Sequence, residues 1–150
     1  MAERGKRTIF TDSCPAKTQE AIALEADILP GMLVEIANVG GTIGFRKSTQ
    51  AATVFGAQLL VADYDFIQAG TVDDVWTQNQ TMIARQVRPD DYVNVRVNTG
   101  NNITLRGTGL SSNTGGEFKI AVTDGTEQIK LIADEVINVT ADGLVRARGI

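Results

Sequence analysis

Hydrophobic and polar residues alternate most cleanly along Tyr92-Val93-Asn94-Val95-Arg96-Val97-Asn98. Side chains of an extended strand point to alternate faces, so Val93, Val95 and Val97 share one face and Tyr92, Asn94, Arg96 and Asn98 the other. The pattern predicts a strand with an apolar side and a polar side. A slip of one residue would turn three valines outward, so its register should be firm. The run 81–87 before it is also strand-like. Between the two, Arg88-Pro89-Asp90-Asp91 reads as a turn, because proline presets φ and aspartates accept local backbone hydrogen bonds. The expectation is a strand–turn–strand hairpin at the centre of a β domain.

The same reading along the chain gives further strands at 20–28, 32–36, 43–45, 58–62, 103–105 and 117–122. A strand that is open to interruption follows at 129–139, and a closing strand at 144–148. Leu29-Pro30-Gly31, Val39-Gly40-Gly41-Thr42, Asp124-Gly125 and Asp142-Gly143 are turn signals. Segment 48–55 is a short helix or a plain connection, 71–76 has room for one helical turn, and 111–116 reads as a flexible tip. Turn signals at intervals of roughly ten residues point to an all-β fold, a small β-barrel or β-sandwich-like body. We place this body in a single domain over 20–150, preceded by an extended N-terminal arm over 1–19. No internal repeat stands out.

The arm differs from the body. Arg4, Lys6 and Arg7 face only Glu3, and Ile9-Phe10 is apolar without periodicity. It is either a disordered terminus or a segment that orders against a partner, with Ile9-Phe10 as its anchor.

Composition narrows function by exclusion. The 150 residues are 43% hydrophobic, enough for a core without disulfides or metals. Aromatics are few (five Phe, two Tyr, one Trp), so the core rests on aliphatic residues. The net charge of −4 argues against a nucleic-acid partner. No apolar run is long enough for a membrane helix. With no histidine, the usual general base and the commonest metal ligand are missing. Cys14 has no base partner in view, so it reads as inert. Asp63-Tyr64-Asp65 with Asp74 imitates a calcium loop, but Ile67 and Gln68 stand where a ligand and a glycine are needed. Gly107-Thr108-Gly109 opens a nucleotide-type pattern that no helix follows. The pairs Glu25 with Asp27, Asp90 with Asp91 and Asp134 with Glu135 read as local acceptors or surface charges. These residues predict no enzyme, no cofactor and no metal.

The order of elements resembles the small decoration, or cement, proteins on the heads of tailed bacteriophages. The likeness rests on the Pro30-Gly31 turn before Met32-Leu33-Val34-Glu35, on Leu59-Leu60-Val61-Ala62 followed by Gln68-Ala69-Gly70-Thr71-Val72-Asp73-Asp74, and on Tyr92–Val97 with its Gly100 turn. It extends to Ile132-Ala133-Asp134-Glu135-Val136 and Leu144-Val145-Arg146-Ala147-Arg148. It departs from the family pattern at Asp90-Asp91 and at Gly107-Thr108-Gly109-Leu110, where Gly-Asp is usual. The resemblance implies a barrel-like body on the outer surface of the virion, bound to the major capsid protein. It also implies a homo-oligomer, trimer or dimer, that bridges capsid subunits and stabilises the expanded shell. The residues expected to touch shell or neighbour are Arg4, Lys6, Arg7, Ile9 and Phe10 of the arm, then Arg46, Lys47, Arg146 and Arg148. The competing reading is a soluble β-barrel module that binds a ligand such as a carbohydrate, with Trp76, Tyr64 and Tyr92 as its exposed rings.

Overall fold

The alternating stretch forms strand β6 (Tyr92–Val97), and what covers its two faces sets the architecture. The computed structural model describes residues 6–11, 17–52, 59–140 and 143–150, which contain twelve strands and no helix. The segment 48–55, read as a short helix or a plain connection, is a plain connection over 48–52, its remainder lying outside the described residues, and the helical turn given room at 71–76 is replaced by turns and irregular chain. The fold is all-β. Among the described residues, no helix is long and apolar enough to cross a membrane.

Val93, Val95 and Val97 are fully buried, as the alternation requires. The run before them also forms a strand, β5 (Thr81–Gln86). The expected hairpin does not form. β5 pairs with β1 (Thr18–Ala23) and β4 (Leu60–Ala62), whereas β6 pairs with β12 (Gly143–Gly149) and β9 (Glu117–Ile120). The turn between them is real but spends its hydrogen bonds elsewhere. The Asp91 carboxylate accepts the Arg88 N–H at 2.8 Å. The Asp90 N–H donates to Gly149 O at 3.0 Å, and the Gly149 N–H donates to Asp91 O at 2.9 Å. The turn is thus fastened to the end of β12 and carries the chain from one barrel into another.

There are two closed five-stranded barrels. In the first, the spatial order is β1, β3 (Thr42–Lys47), β2 (Leu33–Val39), β4, β5. In the second it is β6, β9, β8 (Gly109–Asn113), β10 (Leu131–Ala133), β12. β7 (Asn102–Ile103) and β11 (Ile137–Asn138) make a separate two-stranded ribbon, so the interrupted strand expected at 129–139 is indeed split. The tip expected at 111–116 is half strand: Ser111 and Ser112 lie buried in β8.

The two barrels repeat one topology. In each, the first strand runs parallel to the third and antiparallel to the fifth, and every other pairing is antiparallel. The registers superimpose. Ala23 faces Phe45 as Val97 faces Phe118. Leu60, Ala62, Ala84 and Arg85 occupy the places of Leu131, Ala133, Ala147 and Arg148. Loops of unequal length separate these matches, so the chain carries no fixed period for a sequence reading to find.

Each barrel has its own core, and one of the cores is shared. Phe45, Met82, Trp76, Ile28 and their neighbours fill the first barrel. The cluster in the second barrel, around Phe118, Leu110 and the β6 valines, also takes in Leu33, Val61, Val72 and Val87 from the first half of the chain. The polar face of β6 is sealed between the halves rather than solvated: Asn94 and Arg96 are both buried. Arg96 donates through Nε to Pro30 O at 3.0 Å and through Nη2 to Val72 O, and it pairs with Asp73 at 3.3 Å. Its own N–H donates to Gly31 O at 2.9 Å. Gly31 has φ +91°, and a Cβ there would stand 2.7 Å from the Leu144 side chain, so both the backbone and the packing call for glycine.

Candidate interaction surface

The arm is built into the molecule. The Asn94 N–H donates to Ile9 O at 2.7 Å, the Asn94 Nδ2 donates to Thr8 O at 2.7 Å, and Phe10 bridges Val93 antiparallel. This short segment covers the part of the β6 edge that β9 leaves open, since β9 pairs only at Val97. Ile9 is fully buried in the core of the second barrel. Its side chain therefore serves the chain's own core. Lys6 pairs with Glu135 at 2.7 Å. Arg7 is exposed, with no ion pair among the described residues. Arg4 and Cys14 lie outside the described residues.

Phe10 leads to an exposed aromatic patch. The Arg85 guanidinium sits 5.9 Å from the centroid of the Phe10 ring and 5.9 Å from that of Phe66. It is held there by Asp63 at 2.7 Å and by the Thr18 hydroxyl at 3.1 Å. Tyr64 meets the Phe66 ring edge-on at 5.8 Å. Arg85 thus stacks between rings from two distant segments, a favourable site for a guanidinium. Beyond Phe66 the loop exposes Ile67 and Val75. On the arm side, Lys6 and Arg7 line an open groove of about 480 Å³ with Gly70, Thr71, Val72 and Asp73. Arm and loop meet at two places: Phe10 and Phe66 flank Arg85, and Lys6 and Arg7 line the groove with Gly70, Thr71, Val72 and the exposed Asp73. The sequence reading named the arm but not the loop, because isolated apolar residues among aspartates carry no periodicity.

The acidic residues of this loop do structural work. Asp63 is buried, not solvated, and holds Arg85. Asp65 accepts from the Gln68 N–H and from Gln80 Nε2, and Asp74 accepts from the Thr71 N–H at 2.8 Å. Among the described residues, no three acidic, Cys or His side chains gather as a metal site. Trp76 is a core residue whose Nε1 donates to Asp63 O at 2.8 Å, so its ring is not presented to a ligand.

The remaining cations named from the sequence lie apart, and the guanidinium groups of Arg46, Arg146 and Arg148 are ion-paired. Arg46 pairs with Glu35 at 2.7 Å on the outside of the first barrel. The Lys47 N–H donates to the Glu25 carboxylate at 2.7 Å. Arg146 pairs with Asp134 at 3.0 Å, and Arg148 with Asp90 at 3.4 Å. Asp134 also receives Arg106 at 2.7 Å, which with Arg146 holds its carboxyl below the usual range. Glu127 is held low by Lys119, the Val122 N–H and Ser111. Burial pushes Glu35 up, but hydrogen bonds from Arg46 and Thr49 outweigh it and leave the group lowered. Burial alone lowers Lys130. Of the carboxylate pairs seen in the sequence, Glu25 accepts the Lys47 N–H, Asp90 pairs with Arg148 and Asp91 with Arg88, and Asp134 and Glu135 both accept from Arg146.

One more feature stands clear of the body. The β2–β3 hairpin continues past its barrel neighbours, since β4 reaches only Leu33 and Val34 and β1 reaches only Gly44 and Phe45. It turns through Gly40 and Gly41 (φ +60° and +87°), the left-handed pair that a two-residue hairpin turn requires. Its outer half exposes Ile36 at 52%, Val39 at 52% and Ile43 at 64%. No charged residue lies between Glu35 and Arg46. No family model matches this chain, and no curated protein matches it.

Proposed function

We propose that the protein decorates the outer surface of a tailed-phage capsid and stabilises the expanded shell by bridging major capsid subunits. The observation that carries this reading is the surface joining the arm to the 63–76 loop. There the chain presents Phe66, Ile67 and Arg7 on a rigid frame made by Arg85, Asp63 and the docked arm. An exposed apolar patch rimmed by charges of both signs, Arg7 and Asp73 among them, fits a macromolecular contact better than a small-molecule site. Paired barrels give it a stiff base, so little ordering entropy opposes docking. A protein that binds only the assembled lattice stabilises that lattice by mass action.

The test is co-sedimentation of the purified protein with capsids that lack it, in compact and in expanded form. Saturable binding to expanded shells at a fixed ratio to capsid subunits is expected. Phe66→Asp with Ile67→Asp should abolish it while the far-UV circular dichroism stays unchanged. Absence of binding to both shell forms would overturn the proposal.

A further inference from the structure

The repeated topology makes the fate of one hairpin informative about the other. In the second barrel, the β8–β9 hairpin ends in Thr114-Gly115-Gly116. That tip is docked on the first barrel: the Leu33 N–H donates to Gly116 O at 2.7 Å. A Cβ on Gly116 would lie 3.1 Å from both Leu33 O and the Lys47 side chain, so the tip is closely seated. The β2–β3 hairpin is the same element of the first barrel. Nothing lies within 4 Å of a Cβ built at Gly40 or Gly41. The equivalent contact inside the chain has no counterpart at this end.

By register, the surface on the second barrel that matches Leu33 and Lys47 is Gly109 and Ile120. This place is apolar and open. Ile129 lies over Gly109 at 3.0 Å from an added Cβ, yet is 41% exposed, and Val122, two residues on from Ile120, is 48% exposed. Where the first barrel offers a lysine stem, the second offers isoleucine. Donor and acceptor surfaces are both uncharged at their centres. Exposed sheet edges are ordinarily guarded by charges or proline, and the ribbon 36–45 has neither.

We infer that the β2–β3 hairpin seats on Gly109, Ile120, Val122 and Ile129 of a second copy of this chain. The junction repeats between copies the hairpin-on-barrel contact already present within each one. A head-to-tail contact of this kind either closes into a ring or runs into a filament. The inference stands apart from capsid binding, since it uses no residue of the 63–76 surface.

The test is the mass of the full chain in solution, by sedimentation equilibrium over a concentration series. Wild type should self-associate. Ile43→Asp on the hairpin should weaken association by about tenfold or more, and so should Ile129→Asp on the receiving barrel. Both sites are exposed in the single chain, so Trp76 fluorescence should report an unchanged fold. Mixed together, the two variants each retain one sound face and should form a heterodimer and nothing larger. A monomeric wild type, an Ile43→Asp oligomer of undiminished affinity, an indifferent Ile129→Asp, or a mixture that stays monomeric would each overturn the assignment.

Discussion

The two barrels share strand order and register, yet the same positions do different work in each. Ile22 of β1 and Arg96 of β6 are register equivalents, paired to Thr81 and Leu144. Ile22 sits at the outer side of the molecule's first barrel. Arg96 is buried and reaches back to Pro30 O, Val72 O and Asp73. Arg85 and Arg148 are likewise equivalent. Arg85 is clasped by Asp63 and two rings, while Arg148 meets only the exposed Asp90. The lesson is that a barrel frame needs only its inward residues, such as Phe45 and Phe118. The outward residues are free to take roles set by where each barrel stands in the chain.

The largest expected effect comes from the frame itself. Phe45→Ala and Phe118→Ala should each cost about 3–5 kcal/mol in chemical denaturation. Both should keep a single transition seen alike by Trp76 fluorescence and circular dichroism, because the cores meet through Leu33, Val61, Val72 and Val87. Separate transitions in the wild type would break the view of coupled barrels. Ile9→Ala should cost about 3 kcal/mol, as for any fully buried isoleucine. A loss below about 0.5 kcal/mol would mean the arm is not part of the second core.

Arg96→Met removes the donor to two buried carbonyls and should cost about 3 kcal/mol. The midpoints by Trp76 fluorescence and circular dichroism should still coincide, since the apolar contacts remain to couple the cores. Split midpoints would move the coupling from those contacts to Arg96. Acid should act next. Asp134 and Glu127 have folded pKa values below their usual range, so their partners stabilise the fold fully above about pH 5. That contribution is lost as the pH falls through the folded values, which lie below the ordinary carboxylate range. The melting temperature should therefore hold from neutral pH to about 5 and drop below about 4, with a shallower drop in Lys119→Met. An unchanged acid slope in that variant would show that Glu127 does not matter. The smallest effect should be Arg46→Ala, at about 0.5–1 kcal/mol for a half-buried pair at the surface in the same denaturation assay.

Much of the fold was legible because strands announce themselves by alternation and turns by glycine. The valines of β6, the wholly buried Leu60-Val61-Ala62 and the Gly40-Gly41 turn were all readable. Strand pairing was not. The turn at 88–91 carries the proline and aspartates of a tight turn, and only its bonds to Gly149 show that it links two barrels rather than two neighbouring strands. The candidate surface was half legible. Lys6, Arg7 and Phe10 stand out by charge and by lack of period, whereas Phe66 gains its place only through Arg85, nineteen positions on by number and adjacent in space.

By itself, the sequence determined an all-β chain, the inward face of its central strand and the absence of histidine chemistry, because those depend on residue type and local spacing. The tertiary structure alone decided that there are two barrels of one topology, that the polar face of β6 is an internal seam, and which hairpin stays uncovered. Those outcomes depend on which strands meet across long stretches of chain. Backbone hydrogen bonds set that pairing, and every residue offers them alike.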